Sequence, residues 1–304
     1  MIWSMTGDTG KVPNKVYRFV PQKHRSALRV KLGEKFYCFV RHCMWIRYRS
    51  LFASLKKDFL DESKIREQFP FVAASHSSPL YRNLSETDTA LQNGKASNVS
   101  IALKKISGLV LSPGKIFSYW KLIGNPTRKK GYQKGMMLVN GKPVAATGGG
   151  LCALSNLLYW LTLHTPLSVI ERFRHSYDVF PDSNRTQPFG SGATCVYNYR
   201  DLMIRNDSET EYAILIWIDG GVLHGEWRTK NPVKDFYDVY QKDHWISSEM
   251  GGVYVRHNTI WRKHFFKESP DSKPELLGDE YVTENHALMM YEPLLESRQD
   301  EVGK

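Results

Sequence analysis

Residues 146–176, ATGGGLCALSNLLYWLTLHTPLSVIERFRHS, restrict this chain more than any other stretch. Three glycines, Gly148, Gly149 and Gly150, run through Leu151 into Cys152. Cys152 opens an apolar segment that Thr165-Pro166 has to end, because a residue ahead of proline is pushed out of the helical region. The next residues, 167–173, include Val169 and Ile170 and read as a strand leading to His175. Glycines ahead of a helix let the backbone turn sharply and let another segment come close. The order is therefore sharp turn, helix from Cys152 to about His164, and returning strand. This predicts an α+β fold in which a glycine-cradled helix packs on a mainly antiparallel sheet.

The flanking sequence is consistent with that fold. Further strands are expected at 193–199, 202–205, 212–219 and 222–229, the last two joined by Gly220-Gly221, with a final ribbon at 253–257 and 260–266. Residues 135–147 read as a hairpin turning at Asn140-Gly141. A helix is expected at 97–107, and a short strand or helix entry at 116–120 after Pro113-Gly114. Ser85 with Asp88 resembles a capping box. Residues 26–69 read as mainly helical, with Leu51, Leu55 and Phe59 on one stripe; 70–79 read as a break and 1–14 as loose. Three regions result: a basic, mainly helical 1–80, a central domain at 81–266 and an acidic, solvated tail at 267–304.

Charge divides along the same lines. Residues 1–66 hold 15 Lys or Arg against 5 Asp or Glu, whereas 268–304 hold 3 against 10. The basic arm interleaves Phe36, Tyr37, Phe39, Trp45, Tyr48 and Phe52 with arginines, a pattern that suits an anionic membrane surface as well as a helix packed on the domain. No motif accompanies the charge that would point to specific nucleic-acid binding. No signal peptide is read at the start, and Arg41, Arg47 and Arg49 interrupt the most apolar early stretch. The expected location is the cytoplasm, peripheral to the inner face of the membrane. Cys38, Cys43, Cys152 and Cys195 form no CxxC pair and read as reduced thiols, with neither a metal nor another cofactor implied.

A thiol at a helix start lies near unpaired amides and the positive end of the helix dipole, both of which favour thiolate. Cys152 is thus a candidate nucleophile, with His175 as its base and Asp201 as the group orienting the ring. Cysteine on a helix, then histidine on a strand, then aspartate on a later strand is the order of papain-like and transglutaminase-like thiol enzymes, which sets the expectation of that arrangement. Acyl transfer or hydrolysis of an amide is the matching chemistry, with Gly149 and Gly150 offering amides to an oxyanion. Gly148, Ser155, Glu171 and Arg172 complete the candidate ligand set. The residue types leave two other readings open. The glycine turn and helix start could receive an anionic cell-wall precursor or peptide without catalysis, or the motif could serve packing alone.

These residues resemble the VanW family, accessory proteins found with type-B vancomycin-resistance genes. The resemblance runs through LSPGKIFSYWKLIG, GYQKG, VNGKPVAATGGGLCALSNLLYWLTLHTPLSVIERFRHS and GATCVYNYRDLMIRND, a motif core at 111–218. It implies a glycopeptide-resistance or cell-envelope context and no particular reaction. Three positions depart from the family pattern. Ala153 stands for a glutamine, Phe173 for the first of two histidines, and Gly192 for an aspartate. Each removes a polar group the pattern would put around the thiol, and Asp201 would have to replace the lost aspartate.

Overall fold

The computed structural model describes residues 26–54, 59–81, 89–139, 141–179, 187–269 and 271–292. The loose start, the Ser85–Asp88 cap, Leu55 of the apolar stripe, Asn140 of the hairpin turn and the end of the acidic tail lie outside the described residues. Five helices are described: α1 (Ala27–Arg47), α2 (Glu62–Gln68), α3 (Thr89–Leu103), α4 (Tyr119–Ile123) and α5 (Cys152–Leu163). The strands are β1 (Phe71–Pro79), β2 (Val110–Leu111), β3 (Ile116–Ser118), β4 (Lys134–Val139), β5 (Lys142–Thr147), β6 (Ser168–Glu171), β7 (Tyr177–Asp178), β8 (Met203–Arg205), β9 (Tyr212–Asp219), β10 (Val222–Thr229), β11 (Asp235–Glu249), β12 (Val253–Phe266) and β13 (Glu275–Met289). The α+β expectation holds.

The central sheet runs β1-β10-β9-β2 and is antiparallel throughout. Helix α5 is apolar around most of its circumference, and its residues Leu154 to Leu163, apart from Asn156, are buried. A helix with no polar face is stable only when covered on all sides, and β1 and β10 form its floor. Gly225 of β10 permits the close approach: a Cβ there would lie 2.8 Å from Leu161 and 3.0 Å from Leu157. Trp227, wholly buried on the same strand, donates its indole N–H to Thr162 at 3.3 Å. Thr165 and His164 tie off the helix end through the Thr162 and Trp160 carbonyls.

A second antiparallel meander, β11-β12-β13, carries β7 in parallel beside β13. Val239 and Ile260 join its base to the main core. A small sheet, β3-β8-β6, and the hairpin β4-β5 complete the architecture. The hairpin turns at Gly141, whose φ of 77° requires glycine.

Five expectations are corrected. Among its described residues the helical region at 26–69 is not one continuous helix but carries α1 and α2, because Leu51 and Ala53 exchange backbone hydrogen bonds with Ile116 and Phe59 bridges to Leu109. The 97–107 helix begins eight residues earlier, at Thr89. The break at 70–79 is an edge strand, where a terminal proline costs no ladder hydrogen bond. The strand at 193–199 is irregular, since Ala193, Thr194 and Cys195 are committed to α5 and to the chain beyond β6. The solvated acidic tail contains β13, whose acids face cations on β12: Glu280 pairs with Arg262 at 2.7 Å. Charged strands half-exposed on both faces lack the apolar alternation that reveals a strand in sequence.

Candidate functional site

The glycine triplet lies where α3, β4 and the start of α5 cross. Gly148 and Gly150 have φ of 76° and 88°, which glycine alone adopts without strain. Gly149 is fixed by contact: a Cβ there would lie 2.1 Å from the Gly135 carbonyl oxygen. Buried Asn98 of α3 locks the crossing by donating to the Gln133 and Gly149 carbonyls at 3.0 and 2.9 Å and accepting from the Gln133 amide at 2.7 Å. The Gly148 amide donates to Gln133 and the Gly149 amide to Ala146. Gly149 therefore offers no free amide to an oxyanion, and the triplet is a packing knot.

Cys152 is the first residue of α5 and half-buried. Its thiol points to the Cys195 carbonyl oxygen, 4.0 Å away. Burial pushes the thiol above its ordinary value, outweighing that hydrogen bond and the cysteine's own backbone amide. The predicted activation by the helix start is overcome by desolvation. Ser155, a candidate ligand group, is buried and donates to the Ala193 and Cys152 carbonyls at 2.8 and 3.2 Å.

His175 lies just beyond β6, in contact with two residues that the sequence reading missed. Its Nε2 is 3.3 Å from Asn156 Oδ1, and its Nδ1 is 2.9 Å from Thr194 Oγ1. Asn156 Oδ1 already accepts the Ala193 amide at 2.8 Å, which identifies it as the oxygen. The network then assigns the proton to Nε2 and leaves Nδ1 accepting from the Thr194 hydroxyl. Neither nitrogen retains a lone pair for a proton from Cys152, and no hydrogen bond joins the two residues. Burial, assisted by the Arg172 charge, lowers His175 to about 4, so the ring is neutral at neutral pH. Gly192 makes room for it: a Cβ there would meet His175 Nε2 at 2.9 Å and Asn156 Oδ1 at 2.7 Å. The clue in sequence was Asn156, four residues after Cys152 and thus on the same helix face.

Asp201 does not orient His175. It is completely buried and accepts from Ser118 Oγ at 2.6 Å, from the Trp120 amide at 3.0 Å and from its neighbouring Leu202 amide at 2.9 Å. It thereby clamps β8 to the start of α4. Burial raises it to about 7 against the pull of Ser118, the Trp120 amide and Arg41. Glu171 is likewise structural. It forms a bidentate pair with Arg41 of α1, one arm at 2.7 Å, with each side chain about nine-tenths buried. It also accepts the Asp201 amide at 3.1 Å. The papain- or transglutaminase-like constellation thus has no support in this geometry.

Arg172 differs from these groups. Its guanidinium donates to the Gly192 carbonyl at 2.9 Å, the Gly190 carbonyl at 2.5 Å, Thr283 Oγ1 at 3.3 Å and Asn285 Oδ1 at 3.3 Å, and it lies 4.8 Å from the Tyr159 ring centre. All of these partners are neutral; among the described residues no carboxylate pairs with it. Burial lowers its affinity for its proton, and Arg174 adds a like charge. Arg172 lines an open groove of about 380 Å³ between α5, β6 and β13, together with Tyr159, Ser168, Arg262, Tyr281 and Thr283. Arg262 is neutralised by Glu280 and donates to the Thr165 carbonyl at 2.9 Å. Among the described residues no group of three or more His, Cys, Asp or Glu side chains is arranged to hold a metal ion.

Comparison with known proteins places these residues in a family. The family described as VanW like protein matches residues 94–228. The Vancomycin B-type resistance protein VanW of Enterococcus faecalis is 32% identical over 185 residues, which cover 61% of this chain and 67% of that protein. The Uncharacterized protein YoaR of Bacillus subtilis is 31% identical over 112 residues, 37% of this chain and 35% of that protein. No solved structure matches. The matched region spans the glycine knot, α5, the His175 network and the β2, β9 and β10 part of the central sheet, and on the likeness to the Enterococcus faecalis protein the chain belongs to the VanW family.

Proposed function

We propose that this chain is an accessory protein of glycopeptide resistance or cell-envelope metabolism, and that it acts by binding an anionic wall precursor at the Arg172 groove without thiol catalysis. The context comes from the name of the Enterococcus faecalis relative. The binding reading is carried by one observation: a largely buried guanidinium held by neutral groups alone at the edge of an open groove. Such a charge is only partly compensated by carbonyl and amide dipoles, and a carboxylate or phosphate completes it through charge-assisted hydrogen bonds. Tyr159 and Tyr281 supply apolar walls with polar tips. Calorimetric titration of the full chain with soluble muropeptides tests this. Arg172→Gln is expected to weaken binding by about tenfold or more, the scale of one hydrogen bond to a charged group, and Arg172→Lys to weaken it less. Unchanged affinity in Arg172→Gln, or no binding by the parent chain, would refute it.

The thiol-dependent reading, in which Cys152 attacks an acyl carbon and His175 takes its proton, retains support from the half-exposed position of Cys152 at a helix start. It requires His175 to leave Asn156 or Thr194. Thiol-reagent labelling across pH separates the two readings. On the binding reading Cys152 reacts more slowly than a free thiol at neutral pH, whereas rapid thiolate labelling there would favour catalysis.

A further inference from the structure

Helix α1 has two apolar faces, and the domain uses only one. At 100° per residue, Cys38, Arg41 and Trp45 fall together on the side that packs inward. Trp45 is buried there, and Arg41 reaches Glu171. Leu28, Leu32, Phe36, Phe39, Cys43 and Ile46 fall within an arc of about 80° on the far side. The five large residues of that arc are between 59% and 72% exposed, and Cys43 is exposed as well. A contiguous stripe of this length is more than the scattered apolar exposure normal for a protein surface.

The charges around the stripe indicate what covers it. Arg29 and Arg47 flank it on one side, and Lys31 and Lys35 on the other. The one acid of the helix, Glu34, lies on nearly the opposite side. No described helix is long and apolar enough to cross a membrane. We propose that α1 lies in the plane of an anionic lipid surface, with the stripe buried among the acyl chains and the four cations at the headgroups. An interfacial helix has this pattern of an apolar stripe bordered by Lys and Arg, and each cation near an anionic surface adds to the attraction.

A second copy of the chain is the competing occupant, because 32, 36, 39, 43 and 46 alternate by four and three as a coiled-coil seam does. The charges argue against it. Lys35 and Arg47 occupy the positions bordering that seam, where no acid is available, so self-pairing adds cations to both edges with nothing to neutralise them.

Vesicle flotation of the full chain tests the proposal. The chain is expected to rise with phosphatidylcholine vesicles containing phosphatidylglycerol, to stay behind with phosphatidylcholine alone, and to be released by added salt. Phe36→Asp with Phe39→Asp is expected to lower partition by about tenfold or more, the loss expected from two exposed phenyl anchors, while its thermal melt matches the parent. Three results would overturn the proposal: a parent chain that does not float with anionic vesicles, a double variant that floats as well as the parent, or a lipid-free dimer in sedimentation equilibrium that the double variant dissociates.

Discussion

The glycine knot at the start of α5 and the Arg172 groove make opposite use of their polar groups. At the knot, Asn98, Ser155 and the amides of Gly148 and Gly149 are all donated to protein carbonyls. At the groove, a guanidinium is left with neutral partners only. The most conspicuous motif in the sequence therefore holds the fold, and the less conspicuous arginine beside it has unspent charge. Buried groups with complete partners contribute order, whereas a charge lacking a counter-ion can still be completed by a ligand.

Five changes test that contrast. The largest effect is expected from Gly149→Ala, which drives a methyl into the Gly135 backbone. Neither segment can yield without breaking the Asn98 hydrogen bonds, so a loss of about 4 kcal/mol or failure to fold is expected, beyond ordinary overpacking. Denaturant unfolding checks it, and a loss below about 1 kcal/mol would show that the crossing is loose. Glu171→Gln comes next. It leaves Arg41 buried without its carboxylate, with a cost of about 3 kcal/mol by the same measurement. A neutral outcome would show that α1 docks without that pair.

Smaller effects come from titration, and here Asp201 and His175 oppose each other. Asp201 is raised from 3.8 to about 7, so the folded chain holds its proton more tightly; its contribution is full below 3.8 and is lost as pH rises towards 7. His175 is lowered from 6.5 to about 4, so the unfolded chain holds the proton more tightly; its contribution is full above 6.5 and is lost as pH falls towards 4. Between about pH 4 and 6.5 the two slopes nearly cancel, so Asp201→Asn should leave stability rising with pH across that window and His175→Gln should leave it falling. Identical pH profiles in both variants would contradict these assignments. Cys152→Ser is expected to change least, within about 1 kcal/mol in stability, with muropeptide affinity unaltered. A loss of binding comparable with that of Arg172→Gln would move the site back to the thiol.

Much of the central fold was legible in the chain itself. Helix α5, the β4-β5 hairpin and the β9-β10 pair follow from an unbroken apolar run, a flanked Asn-Gly and a flanked Gly-Gly, all signals contained within a few neighbouring residues. The long strands β11 and β13 escaped because their charges are matched across the sheet, as in Arg262 with Glu280, and cross-strand matching has no local signature. The site was legible only as a collection of residue types. Cys152, His175 and Asp201 were visible, but Asn156 and Thr194 claim the histidine, and Ser118 and Trp120 claim the aspartate.

The sequence by itself determined the family, the α+β class, the turn before Cys152 and the basic, aromatic character of the N-terminal arm, since each depends on residue type and short-range spacing. Tertiary structure alone decided that Gly149 packs against Gly135, that Arg41 turns inward to Glu171 while Phe36 faces out, and that Arg172 retains its charge. Hydrogen-bond partners and desolvation come from segments distant in the chain. A side chain's chemistry is set by which of them reaches it first.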